Sequence, residues 1–275
     1  MSDDHTSNGS VSSGLPTVTL DARLSPGAAA ADPLSAEARA RVRALSVDVI
    51  ARYPRARSAI MPLFYLVQAE QGYVSPDGIK LVAELLGLTT AEVAAVSTFY
   101  TMYKRRSCGD YEVGVCTNTL CAILGGDAIF AALKEHLGVG NNGTTPDNKV
   151  TLEHIECNAA CDYAPVMMVN WEFFDNQTVE SAKELVDRLR ADDPPLPTRG
   201  APLIKHREMS KVLAGFPDGA VGRGVSAGPA STIGLELANE RNETAPPLPG
   251  GGSTTAAPLP GDGSTTAAPL PGGRT

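Results

Sequence analysis

Four of the chain's five cysteines sit in two close pairs, Cys116 with Cys121 and Cys157 with Cys161. The pattern is C-x4-C, a gap of 35 residues, then C-x3-C. Any fold of this chain has to account for those thiols. Two short-spaced pairs drawn together can surround one metal centre with four thiolates, which are soft ligands suited to iron–sulfur clusters and zinc.

Composition limits how much of the 275 residues can fold. The first ~35 residues are small and polar, and the last ~55 are dominated by Gly, Pro, Ser, Thr and Ala. Such stretches bury too little apolar surface to offset the entropy of ordering a chain. Residues 1–34 are therefore expected to be a disordered N-terminus, and 193–275 an extended or disordered tail. Within the tail, Ser253-Thr-Thr-Ala-Ala-Pro-Leu-Pro recurs from Ser264. That period of 11 is too short for a structural repeat and reads as a flexible, partly polyproline linker. The more mixed segment from Ala201 to Phe216 reads as an extended arm. Net charge is −8, with a pI near 5.1. An acidic balance argues against nucleic acid, which requires clustered Lys and Arg. No run of 18 apolar residues spans a bilayer, and the polar start MSDDHTSNGS carries no secretory signal. A reducing compartment follows as the default, where paired cysteines mean metal or redox chemistry more often than structural disulfides.

Residues 35–106 read as a helical bundle. Ser35 is a helix N-cap with Glu37 in the first turn, and Val42, Leu45, Val49 and Ile50 follow at helical spacing until Pro54. Ile60, Leu63, Phe64 and Val67 carry a second helix stopping at Gly72. Ser75-Pro76 opens a third that ends before Gly87, and Thr90 with Glu92-Val93 opens a short fourth. Residues 107–192 read as mixed. Tyr111, Val113 and Val115 alternate as a strand into Cys116. Ala128 to Leu137 is a helix, Gly138 to Asn148 a loop, and Val150 to Glu156 a strand ending at Cys157. Pro165 to Asn170 and Trp171 to Phe174 are further strands, and Thr178 to Leu189 is a closing amphipathic helix. The expected order β-α-β-β-β-α makes a compact sheet with helices packed on it, an α+β class overall.

Each cysteine pair follows a strand, so the two loops can converge across the 35-residue gap. A [2Fe–2S] cluster uses four Cys, two per iron, and C-x4-C occurs in plant-type ferredoxins. Gly125, Gly126 and the helix start after them are expected to offer N–H donors to an anionic centre. Structural zinc accepts both spacings and stays open. A thiol-exchange site prefers C-x-x-C, which neither pair has.

Further segments carry a resemblance. Ala164-Pro-Val-Met-Met-Val-Asn170, Gly125 four residues past Cys121, Pro62-Leu63, Gln68, Gly72, Ala83-Glu84-Leu85-Leu86-Gly87 and Thr98-Phe99-Tyr100-Thr101-Met102 occur with the cysteine spacing in one order. Over about Ser35 to Arg190 the chain resembles the E-type subunit of NADH-quinone oxidoreductase, the thioredoxin-like [2Fe–2S] ferredoxin family of respiratory complex I. The resemblance implies a thioredoxin-like α/β domain over 107–192, with Cys116, Cys121, Cys157 and Cys161 as ligands of one [2Fe–2S] cluster. It implies an electron-transfer role, not catalytic alone, beside a partner subunit that holds FMN and NADH. It places the protein peripherally on the cytoplasmic side of the inner membrane. The equivalent component of an NAD-linked hydrogenase or formate dehydrogenase is the nearest alternative, and a zinc-stabilised interaction module the alternative of another class. Where the family usually has Gly in the second cysteine loop, this chain has Asn158-Ala159-Ala160. Ala159 must either keep φ negative or accept strain.

Other residues read more plainly. Cys108 is a bystander thiol and His154 a strand histidine. Lys104-Arg105-Arg106 is either a docking patch or a solvated face. Phe99, Tyr100 and Tyr103 divide between an interface anchor and bundle packing. Gly138 to Gly143 matches G-x-G-x-x-G but follows a helix, so it fails the context a dinucleotide site requires.

Overall fold

A computed structural model describes residues 33–220, 224 and 228–244. The expected disordered N-terminus, up to residue 32, and the 11-residue repeat lie outside the described residues.

Four helices open the described chain: α1 (Ala36–Ile50), α2 (Ile60–Gln71), α3 (Pro76–Leu86) and α4 (Thr90–Phe99). Their ends follow the local chemistry. The Ser35 hydroxyl accepts the Ala38 N–H at 3.1 Å, and Ser75 accepts that of Gly78 at 3.0 Å. Thr89 and Glu92 cap each other's backbone at the start of α4. Gly72 and Gly87 end α2 and α3 in the left-handed conformation. Leu63, Phe64, Val67, Leu81, Val82 and Val93 fill the interior of this bundle, and Leu34 is buried against it one residue before the expected start.

A five-stranded sheet follows, built from β1 (Tyr111–Cys116), β2 (Gly143–Thr144), β3 (Val150–Ile155), β4 (Met167–Val169) and β5 (Glu172–Phe174). The strand order is β2-β3-β1-β4-β5. Only β1 and β3 run parallel, in register from Tyr111↔Val150 to Cys116↔Ile155. A parallel pair needs a crossover, and here it contains α5 (Thr119–Ile123) and α6 (Gly126–Leu137). After β5 comes α7 (Val179–Arg190), capped by Thr178. Side chains alternate across a sheet. One face, with Val113, Val115, Leu152, Met167 and Val169, packs on Ile129 and Leu133 of α6 and on Val186 and Leu189 of α7. The other face carries Glu112, Gly114 and Cys116 of β1 beside Thr151, Glu153 and Ile155 of β3.

The β4–β5 hairpin turns through Asn170 and Trp171, at φ 45° and 71°. Positive φ at both central residues marks the turn whose twist matches paired strands. The buried Asn170 side chain ties two segments to the hairpin: its oxygen accepts Glu112 N–H at 2.8 Å, and its amide donates to Asp110 O at 3.0 Å and Ile204 O at 2.8 Å.

The expected extended tail is corrected over much of its described length. It contains α8 (His206–Leu213) and α9 (Pro229–Glu240). α8 packs along α2 and buries His206, Met209 and Ser210, while Lys205, Arg207 and Lys211 stay exposed. Residues 198–199 add backbone bonds to the edge of β5, with Thr198 N–H to Phe173 O at 2.9 Å and Phe173 N–H to Arg199 O at 3.2 Å. Among the described residues no helix is long and apolar enough to cross a membrane.

Candidate metal centre

The parallel register of β1 and β3 sets the site. Cys116 is the last residue of β1, opposite Ile155, so the chain leaves both strands side by side at the same sheet end. From β1 it passes into α5, which carries Cys121. From β3 it passes to Cys157 and then to a single 3-10 turn that begins at Cys161. Cys116 and Cys121 are buried and share a small apolar cluster with Ala160 and Val166. Cys157 and Cys161 are exposed, their sulfurs 3.8 Å apart. That separation suits two thiolates on one tetrahedral metal, given metal–sulfur bonds of about 2.3 Å.

Two of the four thiols, Cys121 and Cys161, are raised. Burial comes first in raising the Cys121 thiol to about 11, followed by the neighbouring Cys116 and Cys161. The hydrogen-bonded Cys157 is the main cause of a raised Cys161. Thiols raised in this way hold their protons, which a metal would displace on binding. Cys108 lies apart from the four. It is buried, and burial pushes its thiol up to about 12.

The glycines after Cys121 act differently from the expectation. The Gly125 N–H is committed to Ala122 O at 3.1 Å, closing α5, so it is not a free donor. What Gly125 supplies is φ +114°, outside the usual range of side-chain-bearing residues. Gly126 supplies space: a Cβ there would lie 2.4 Å from Cys116 O and 2.9 Å from Cys121 O. The first loop therefore wraps against the start of α6 with no room for a side chain.

The second loop resolves the question at Ala159, which adopts φ 54° and accepts the strain. In that conformation its N–H points at the Cys157 sulfur at 3.3 Å. The Asn158 side-chain amide is buried beside it with no hydrogen bond among the described residues. Two cysteine pairs at one end of the sheet, an amide already on sulfur and a buried unpaired N–H fit an anionic iron–sulfur centre.

Sequence reasoning missed Arg199, which braces this loop. Its guanidinium bonds Asp175 at 2.6 Å and Asp162 at 3.3 Å and lies over the Phe173 and Tyr163 rings. No local motif marks it. α9 touches the same turn through Ala230 N–H to Tyr163 Oη at 3.2 Å and through Ser231 to Asp162. Lys104 is neither docking patch nor solvated face, because its ammonium is buried between Glu112 and Glu153. Tyr103 is bundle core, whereas Phe99 is 77% exposed. His154 is an exposed residue of β3. Gly138 ends α6 and leads into the turn before β2.

Residues 47–190 match the family model of the thioredoxin-like [2Fe–2S] ferredoxin. The chain is 60% identical over 212 residues to the E-type subunit of NADH-quinone oxidoreductase from Mycobacterium tuberculosis, covering 77% of this chain and 84% of that protein. It is 37% identical over 149 residues to mitochondrial NADH dehydrogenase [ubiquinone] flavoprotein 2 of Dictyostelium discoideum, covering 53% of this chain and 60% of that one. Among solved structures, the thioredoxin-like [2Fe–2S] ferredoxin of Aquifex aeolicus aligns with a TM-score of 0.27 at 20% identity, over 32% of this chain and 86% of that chain. The chain belongs to the thioredoxin-like [2Fe–2S] ferredoxin family, within the branch formed by the E-type subunits of NADH-quinone oxidoreductase.

Proposed function

We propose that Cys116, Cys121, Cys157 and Cys161 hold one [2Fe–2S] cluster, and that the protein is an electron-transfer subunit of an NADH-quinone oxidoreductase. Its partner would be the subunit carrying FMN and NADH, on the cytoplasmic side of the membrane. The observation that carries the reading is the convergence of two cysteine loops at the shared end of parallel strands β1 and β3. When bound, the cluster supplies a one-electron donor and acceptor. The chain's own residues set its surroundings. Cys116 and Cys121 anchor the dry side, where apolar Val166 and Ala160 exclude water. The Ala159 N–H on Cys157 and the Asn158 amide stabilise negative charge, which raises a reduction potential.

The surface around the first loop supports a docked partner. Leu120, Ile123 and Leu124 are exposed on and just after α5 next to Cys121, and exposed apolar groups clustered at a site mark contact surfaces. The division into a bundle over 35–106 and a cluster domain over 107–192 is supported by two separate apolar interiors.

The test is reconstitution. NADH added to this protein alone should leave its cluster oxidised. NADH added together with the purified flavin-bearing subunit should produce the reduced [2Fe–2S] EPR signal. A cluster that stays oxidised in the assembled pair, yet is reduced by dithionite, would refute the pairing.

A further inference from the structure

We propose that Cys108, Glu112 and His206 form a second metal site, separate from the four-cysteine centre, which binds one divalent cation of zinc type and staples α8 to the sheet. The three donor atoms all lie within 4.8 Å of one another. Zinc ligands at about 2.0–2.3 Å sit roughly 3.4–3.8 Å apart, so each atom has to move inward by well under 1 Å. Cysteine, carboxylate and imidazole together form a common zinc donor set.

The donors are buried, and the nitrogen and oxygen donors, His206 Nδ1 and Nε2 and Glu112 Oε2, lack a close hydrogen bond. His206 is 0% exposed, and neither ring nitrogen makes a hydrogen bond. Leaving both nitrogens of a buried imidazole unpaired is costly. The ring is nevertheless firmly placed, because it stacks on Trp171 at 5.7 Å and the His206 N–H bonds Asp110 O at 2.7 Å. Glu112 divides its oxygens. Oε1 faces the Lys104 ammonium, while Oε2 is buried, unbonded, and 3.5 Å from His206 Nε2. Cys108 closes the triangle and is 5% exposed. The unsatisfied carboxylate oxygen and ring nitrogens are thus atoms a cation would take, with the Cys108 sulfur, now beside Thr151, as the third donor.

Charge balance accommodates the cation despite the nearby lysine. A thiolate and the Glu112 carboxylate neutralise a divalent ion, and Lys104 keeps its second carboxyl contact, to Glu153. Two cavities border that pair. A cavity of about 390 Å³ has Glu112, Lys104, Glu153 and Trp171 in its wall, and one of about 310 Å³ has Cys108, Lys104 and Glu153. The three ligands come from the link between bundle and sheet, from β1 and from the first turn of α8. A bound ion would cross-link segments about 100 residues apart in sequence, a long loop to close by hydrophobic contact alone.

The site is tested on the full chain purified anaerobically with its iron, so that the four-cysteine centre is occupied. After incubation with zinc chloride and desalting, elemental analysis should give about one zinc in addition to about two iron per chain. Cys108→Ser and His206→Gln should each lower zinc at least tenfold while iron and the visible spectrum stay unchanged. Cobalt(II) added to the wild-type chain gives a readout that does not depend on variant folding, since a thiolate-to-cobalt charge-transfer band with iron retained is expected. Wild-type protein that retains no zinc, gives no such band, or yields variants as zinc-rich as itself overturns the proposal. In that case the three side chains are only a buried polar contact.

Discussion

Substituting Gly126 with alanine tests how tightly the first cysteine loop is built. The added Cβ would sit 2.4 Å from Cys116 O, 2.9 Å from Cys121 O and 3.1 Å from the Cys121 carbonyl carbon. Ordinary carbon–oxygen approaches are about 3.3–3.6 Å, so the backbone of both ligands has to retreat by roughly 0.5–1 Å. Neither obstacle is the end of a flexible side chain. Overpacking of this kind costs about 1–3 kcal/mol. Because the displaced peptides belong to Cys116 and Cys121, two of the four proposed ligands, the cost should fall on cluster binding as well as on the fold. We expect Gly126→Ala to hold iron at least about tenfold more weakly, the equivalent of about 1.4 kcal/mol. Gly138→Ala is the matched control. Its φ is +67° but open space surrounds the new Cβ, so it costs about 1 kcal/mol of backbone strain and leaves the ligands in place. The assay is iron per chain after desalting against a chelator, with thermal unfolding of both variants alongside. If Gly126→Ala holds full iron through the chelator challenge and melts like Gly138→Ala, the account of the loop is wrong.

Other substitutions read different parts of the structure. Cys121→Ser should abolish or strongly destabilise the cluster, whereas Cys108→Ser should leave iron content unchanged. Iron loss from the Cys108 variant alone would mean that the wrong four ligands are assigned. Ala159→Gly relieves about 1–2 kcal/mol of left-handed strain at φ 54° and loses about 0.5–1 kcal/mol to chain entropy. The variant should therefore melt slightly higher, by about 0.5–1 kcal/mol, and a lower melting temperature would contradict the strain. Asp147 accepts from Thr145, from Lys149 N–H at 3.1 Å and from Arg190 at 2.7 Å, and these hydrogen bonds, led by Thr145, hold its carboxyl down to about 2. A depressed carboxyl stabilises the fold above its unfolded value near 4 and loses that contribution as pH falls towards 2. Asp147→Asn should therefore cost about 0.5–1 kcal/mol at pH 7 and approach wild type near pH 2. A pH-independent difference would refute the linkage.

Much of the architecture was legible because local chemistry and tertiary need agree. Ser35, Ser75, Gly72 and Gly87 mark helix ends by capping alone, and each does so in the structure. Val113 and Val115 alternate with Glu112 and Gly114, which is enough to read β1 and to place Cys116 at its end. The rest depends on distant partners. α8 hides from periodicity because its buried stripe, His206, Met209 and Ser210, is mostly polar. It is held by α2, with Gln68 bonding Ser210 at 3.3 Å across 142 residues. Glu112, between the alternating apolar residues of β1, faces Lys104 and His206, which no local pattern predicts. α9 buries no side chain and so leaves no hydrophobic pattern to read. Ala159 was the one position where the sequence itself signalled tension, and the structure places that tension beside Cys157.

The claim that Cys116, Cys121, Cys157 and Cys161 hold a [2Fe–2S] cluster is tested most directly by the metal content and EPR spectrum of anaerobically purified protein. The account predicts a brown protein with about two iron and two labile sulfides per chain, giving a one-electron signal on reduction. A colourless protein with zinc on the four cysteines and no iron would contradict it.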